Sequence, residues 1–356
     1  MPMSTWSSFR GHALQREMFR RAVERGRLAQ SYLFVGPDGV GKQLFARHLC
    51  QSLLCRAPNG DALEACGECS GCRPFLAGTH PDFLYVTRPE GKRELLLDVI
   101  AGSKERRGQE GLCHDMSLRP LEGSRKIAII NDADTMNEES ANAFLKTLEE
   151  PPERAILFLI AANLDAVMPT IRSRCQLVRF SPLSNDDVEA LLVEQELVPS
   201  AADARFASSL SEGSLTIARQ LLQPELREMR TTLYSTLSQK SFSGLQLART
   251  LLEGIEKISA DTPELRVNAN WLIRFTVDFY RSALRSLSPG ENSPRGSEVI
   301  PEARAWAATV ASRGDAIDLA GNLIERVIDT TSHIEQNVPV PLCLETMLDD
   351  LARMSH

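Results

Sequence analysis

The sequence predicts an α/β phosphate-loop domain, a parallel sheet with helices on both faces, followed by an all-helical remainder. Three observations predict it. Five short apolar runs alternate with helical segments up to residue 183, and each run is nearly continuous rather than alternating. Strands buried on both faces of a parallel sheet have that composition. A glycine-rich turn, 36–41, lies between the first run and a helix. Beyond Pro182 the strand signals stop and only helical periodicity continues.

The elements follow in order. Leu14, Met18, Phe19, Ala22 and Val23 share one side of a helix over 12–27. Ser31–Val35 is an apolar strand, and Lys42–Leu54 is an amphipathic helix. Residues 55–72 are rich in cysteine, glycine and turn formers. Phe83–Val86 is predicted as a strand, 94–107 as a helix and Lys126–Ile130 as a buried strand. A helix over 137–150 has Asn137 to cap it, Glu138 and Glu139 in its first turn, and Pro151-Pro152 to stop it. Ala155–Ala161 is another buried strand and 176–180 a shorter one. Helices are expected at 184–196, 201–210, 214–222, 225–239, 243–258 and 263–287, then at 301–312, 314–336 and 341–353. The Ser-, Pro- and Gly-rich stretch 288–297 is expected to be a loop or linker. Three domains result: 1–183, 184–224 and 225–356. Trp271, Ile273, Phe275, Val277 and Tyr280 suit a bundle core or a subunit interface equally well.

Composition narrows the function. The 356 residues hold 40 Lys and Arg against 47 Asp and Glu, a net charge of −7, which argues against a basic nucleic-acid coat protein. The charge is uneven, with 24 basic and 22 acidic residues in 1–183 but 16 and 25 in 184–356. No apolar run approaches the ~18 residues of a membrane helix. Residues 1–10 are polar and lack the apolar core of a secretory signal. Eight cysteines are many for a cytosolic chain unless some bind metal.

Gly36-Pro-Asp-Gly39-Val-Gly41-Lys42-Gln43 fits the phosphate-loop pattern up to its last position. Its glycines let backbone N–H groups wrap around phosphates, and Lys42 would sit on the β- and γ-phosphates. Position eight should be a hydroxyl residue that binds Mg²⁺, and here it is Gln43. The strand Lys126–Ile130 should be followed by Asp-Glu, the Asp for the metal shell and the Glu for the attacking water. The chain has Asn131-Asp132. Asn131 is neutral, and Asp132 is one methylene short. Three changes at the metal and water positions predict weak or absent hydrolysis. Retention of the glycines and Lys42 leaves ATP or ADP binding open, with Mg²⁺ support weakened.

Cys55-x10-Cys66-x2-Cys69-x2-Cys72 places four thiols in one glycine-rich excursion. That spacing suits a closed, tetrahedral structural Zn²⁺ site. A redox or disulfide pair and an iron–sulfur cluster are the rivals. Cys50, Cys113, Cys175 and Cys343 are read as ordinary small residues, and His80 and His114 as competing ligands that four cysteines make unnecessary.

Taken together, these residues resemble the clamp-loader subunits of bacterial DNA polymerase III, in the AAA+ superfamily. Asn142-Ala-Phe-Leu-Lys-Thr-Leu-Glu-Glu-Pro-Pro152 and Pro169-Thr-Ile-Arg-Ser-Arg-Cys175 are similar to signature segments of that family. Gly11-His12, Gly26-Arg-Leu-Ala-Gln-Ser-Tyr-Leu-Phe34 and Gly78-Thr-His-Pro-Asp82 resemble its flanking segments. The resemblance implies a member of a pentameric ring that loads a sliding clamp onto primed DNA, in the bacterial cytoplasm at the replisome and away from membranes. It implies a zinc module at about 55–72, a helical lid over 184–224 and a helical collar over 225–356. It implies that Arg174 is an arginine finger acting on a neighbour's nucleotide, with Arg172 structural. The family's Gly-Ser-x-Arg segment is here Gly213-Ser214-Leu215-Thr216, so Thr216 cannot supply the arginine that would contact the nucleotide. Asn163 stands nearest to a sensor position usually held by Thr or Ser, and Gln30 replaces a His common there. Eroded groups in cis beside a retained Arg174 describe a stator, a subunit that completes a neighbour's site without cycling. The alternative is an active motor ATPase of the same ring. Nucleotidyl transfer would describe only the polymerase holoenzyme, because the chain shows no paired metal carboxylates for it.

Overall fold

The computed structural model describes residues 6, 9–58, 63–89, 92–122, 125–258, 262–288, 300–336 and 338–355. The chain divides into two compact units, Met1–Arg219 and Gln220–His356.

The first unit is built on a five-stranded sheet in the order β2-β3-β4-β1-β5. The strands are β1 (Ser31–Val35), β2 (Phe83–Val86), β3 (Lys126–Ile130), β4 (Ala155–Ala161) and β5 (Gln176–Arg179). All neighbouring pairs are parallel. The strands β1, β3 and β4 are interior and buried throughout, whereas β2 and β5 form the edges and are largely uncovered. Successive side chains point to opposite faces, so one strand feeds two cores. Tyr32, Phe34, Ile127 and Phe158 join Phe19, Phe45 and Phe180 on one face. Leu33, Val35, Ile130 and Leu157 join Phe144 and Leu148 on the other. The first core is strongly aromatic: Tyr32 stacks on Phe158 at 5.5 Å, and Phe45 meets Phe180 edge-on at 5.2 Å.

Helices cover both faces and then run on alone. They are α1 (Ala13–Glu24), α2 (Lys42–Leu54), α3 (Cys72–Leu76), α4 (Leu97–Ala101), α5 (Leu112–Ser117), α6 (Glu138–Glu149), α7 (Pro169–Arg172), α8 (Asn185–Glu194), α9 (Ala201–Leu210) and α10 (Leu215–Leu221). Asn137 caps α6 as expected, its side-chain oxygen accepting the Ser140 N–H at 2.9 Å. Ser184 and Ser200 cap α8 and α9 in the same way. The helix expected over 94–107 is only α4, a correction with a local cause. Gly102 has φ +87, and a Cβ there would lie 2.6 Å from the Glu110 carbonyl oxygen, so the chain turns back at that point. The short helices α3, α5 and α7 have too few turns to show a period, and the sequence did not signal them.

His48, on α2, is 3% exposed and sits against the Trp6 ring at 5.2 Å and the Phe9 ring at 5.8 Å. Burial lowers its pKa from 6.5 to about 4, with the Arg47 charge adding to the effect. The unfolded chain therefore takes up this proton first as pH falls. The stabilisation is complete above pH 6.5 and is lost on approach to pH 4, a total of roughly 3 kcal/mol. Urea unfolding at neutral and acid pH tests this. His48→Gln should remove that part of the acid sensitivity, and an equally steep loss in the variant would assign it elsewhere.

The second unit is helical: α11 (Pro224–Leu237), α12 (Gly244–Ile258), α13 (Thr262–Leu287), α14 (Pro301–Val310), α15 (Ala316–Glu335) and α16 (Val340–Met354). The long α13 packs against α11, α14 and α15, and α12 packs against α16. Trp271, Ile273, Phe275 and Tyr280 are buried within this unit, with Val277 half-buried, so these positions form a bundle core. The loop expected at 288–297 lies, beyond Ser288, outside the described residues.

Candidate functional site

The glycine-rich loop connects the end of β1 to the start of α2. Parallel strands all end on the same side, so β1, β3 and β4 deliver the loop, Asn131-Asp132 and Ala161-Ala162 to one edge. A cavity of about 680 Å³ opens there. Of the residues expected from the sequence, Gly39, Gly41, Lys42, Gln43, Asn131, Asp132 and Thr216 line it, and Gly36 stands just behind the loop.

Lys42 is 5% exposed and turned onto its own loop. Its Nζ donates to the Gly36 carbonyl at 2.5 Å and the Pro37 carbonyl at 2.7 Å, and lies 3.5 Å from the Asp38 carboxylate. Burial lowers its pKa, and the Asp38 charge opposes that shift. The loop is also closed from the α10 side. The Leu215 N–H donates to the Gly39 carbonyl at 3.0 Å. Gly39 has φ +76, and a Cβ there would lie 2.2 Å from Ser214 Oγ and 2.7 Å from Thr216 Oγ1.

The residues at the metal and water positions are already engaged. Gln43 Nε2 donates to the Tyr85 hydroxyl at 2.7 Å. The Thr87 hydroxyl donates to Asp132 Oδ2 at 2.8 Å, and the Arg88 N–H reaches the same oxygen at 3.4 Å. Asn131 Nδ2 donates to Thr87 Oγ1 at 3.4 Å. Asp132 has φ +55, a left-handed conformation that aims it at the neighbouring strand β2. Asp134 accepts the Ala162 and Asn163 N–H groups, each at 2.9 Å, and fixes the end of β4. The Asn163 side chain accepts its own Asp165 N–H and does not line the cavity.

Sequence reasoning missed Tyr85, Thr87, Asp134 and Arg219. Arg219 lines the cavity, donating to Gln195 Oε1 at 2.5 Å. Its one available signal was its place three residues after Thr216 on a helix.

Arg174 follows α7 and lies outside the cavity. Its guanidinium donates to the Thr170 carbonyl at 2.9 Å, Ser173 Oγ at 3.3 Å and Glu149 at 2.5 Å, and its side chain is 33% exposed. Arg172 is 3.7 Å from Asp165, a surface ion pair.

Cys55, Cys66, Cys69 and Cys72 come together with their Sγ atoms all within 4.8 Å. The separations are 3.6 Å for Cys55–Cys66 and 3.9 Å for both Cys55–Cys69 and Cys66–Cys72. A tetrahedron of thiolates at ~2.3 Å from zinc has edges of about 3.8 Å, so the cluster fits that ion. Backbone N–H groups of Arg56, Cys66, Cys69 and Cys72 point at the sulfurs at 3.3–3.4 Å, the outer shell that thiolates need. Burial raises the Cys55 and Cys72 thiols. Burial also works to raise Cys69, but the Arg56, Cys72 and Gly71 N–H groups outweigh it and bring it down to about 6. His80 bonds instead to the Asp82 N–H, and His114 to the Gly108 carbonyl. The module is anchored by Leu63 and Phe75, both in the aromatic core.

The family model described as "DNA polymerase III, delta subunit" matches residues 11–184. Through that region the chain belongs to this family. Among the curated relatives, DNA polymerase III subunit delta' of Pseudomonas aeruginosa is 33% identical over 61% of this chain and 62% of that protein. The delta' subunit of Escherichia coli is 30% identical over 63% of each. The tau subunit of Escherichia coli is 31% identical over 55% of this chain and 29% of its own length. The chain thus spans less than two thirds of the delta' relatives it matches. The part shared with the DNA polymerase III delta family holds the sheet, the glycine-rich loop, the four cysteines and Arg174. Thr216, Arg219 and the second unit lie beyond it.

Proposed function

We propose that this chain is a clamp-loader subunit of the delta' kind, acting as a stator within a DNA polymerase III assembly during DNA replication. In this reading 1–183 is the AAA+ domain with its zinc module, 184–224 is a lid and 225–356 is a collar. The chain joins other clamp-loader subunits in a five-membered ring in the bacterial cytoplasm, and meets the sliding clamp and primed DNA through that ring. Zinc is structural, because four thiolates leave no open coordination position.

The nucleotide chemistry follows from the cavity. Loop N–H groups and Lys42 would hold the phosphates of ATP or ADP, Lys42 exchanging the Gly36 and Pro37 carbonyls for phosphate oxygens. Mg²⁺, when bound, would neutralise phosphate charge. The observation that carries the stator reading is the engagement of Gln43 by Tyr85 and of Asp132 by Thr87 and Arg88. Gln43 has no hydroxyl to offer a metal, and Asp132 is held away from a water-activating position. A misplacement of ~1 Å costs about 10²-fold in rate. Arg174, outside this chain's own cavity, is then the group it contributes to catalysis, in trans to a neighbouring subunit.

Purified chain incubated with ATP and Mg²⁺ should release phosphate at the background rate, and Lys42→Ala should leave that rate unchanged. Turnover at ordinary ATPase rates, abolished by Lys42→Ala, would instead identify a motor subunit.

A further inference from the structure

The α10 wall of the cavity carries one feature that the stator reading does not use. Thr216 and Arg219 are three residues apart on α10, so they stand on the same face one turn apart. Both line the cavity opposite Lys42. Thr216 is pressed against Gly39, as is Ser214, and the Leu215 N–H is bonded to the Gly39 carbonyl. That approach leaves no room for a long side chain at position 216. One turn further on, Arg219 meets no such restriction. Its guanidinium has five N–H donors, and the partner it engages, Gln195 Oε1, is neutral. A permanently charged, planar fork held by a neutral anchor at a cavity rim is arranged to bind an oxyanion.

We infer that Arg219 is the cation that α10 contributes to the cavity for the phosphate chain of a nucleoside di- or triphosphate, at the place where Thr216 is neutral. The inference rests on the nucleotide-binding reading of the cavity and adds a residue to it. On binding, the guanidinium donates to phosphate oxygens from the α10 side while Lys42 approaches from the loop. No covalent step is involved.

The test is calorimetric titration of the full chain with ATP, ADP and adenosine. Arg219→Ala should weaken ATP binding by about ten-fold or more, the worth of a hydrogen bond to a charged group. Adenosine, which lacks phosphates, should bind the variant as it binds the parent. Arg219→Lys should restore part of the loss. Gln195→Ala should not weaken ATP binding, since Gln195 anchors the resting position alone. Thermal melting of Arg219→Ala should match the parent, because the side chain is exposed. If Lys42→Ala abolishes ATP binding while Arg219→Ala leaves it intact, Arg219 is a surface partner of Gln195 and the inference fails alone. Equal losses for ATP and adenosine would make its role one of packing and would also overturn it. If the parent chain binds no nucleotide, the reading of the cavity and the inference fall together.

Discussion

Arg174→Ala is expected to slow ATP hydrolysis by about 10³-fold at the neighbouring site it completes, in an assembly reconstituted from the full-length subunits. A guanidinium stays charged at every relevant pH and matches the charge that develops on a transferring phosphoryl group. Arg174 is presented for this purpose. It is one-third exposed, and the Thr170 carbonyl and Ser173 hydroxyl hold it along with Glu149. Its ion pair with Glu149 is a surface pair, worth ~0–1 kcal/mol, so the variant should fold and assemble normally. Assembly is checked by gel filtration of the complex, and function by its ATPase and clamp-loading rates. Unchanged rates in a correctly assembled complex would remove the finger role and leave Arg174 as a surface residue.

The second large effect is expected from the metal. Fresh, reduced protein should contain one zinc per chain by elemental analysis. Structural zinc contributes about 10–16 kcal/mol in zinc-finger peptides, far more than a single core contact. Here the ion would close the excursion between α2 and α3. That excursion also inserts Leu63 and Phe75 into the aromatic core, where Phe75 meets Phe83 at 4.6 Å. Chelation, or Cys66→Ser, should therefore lower the melting temperature and open 55–72 to protease. Protein without metal, equally stable with and without chelator, would eliminate the zinc site.

Much of the fold was legible because its determinants are local. Interior strands of a parallel sheet must be apolar on both faces, so Lys126–Ile130 and Ala155–Ala161 could be read directly. Asn137 caps its helix from the adjacent residue, and three of the four zinc-module cysteines lie within seven residues. The misread helix at 94–107 shows the opposite case. Leu95, Leu97, Val99 and Ile100 supply apolar residues, but Gly102 must turn where Glu110 returns, and that return is a tertiary event. The site was half legible for the same reason. Gln43 and Asp132 could be seen to be wrong for hydrolysis. Their partners Tyr85 and Thr87 lie 42 and 45 residues away in the chain, brought in by the pairing of β2 with β3. Arg219 enters the cavity only because the start of α10 is packed onto the glycine-rich loop.

That packing gives Gly39 two independent reasons to be glycine. One is access for phosphate; the other is the close approach of Ser214 and Thr216, which any side chain at 39 would obstruct. A loop of this kind would resist substitution even in a descendant that had given up nucleotides altogether. The persistence of the motif therefore records the architecture of the domain as much as its chemistry, and a phosphate loop can outlive the phosphate it was built for.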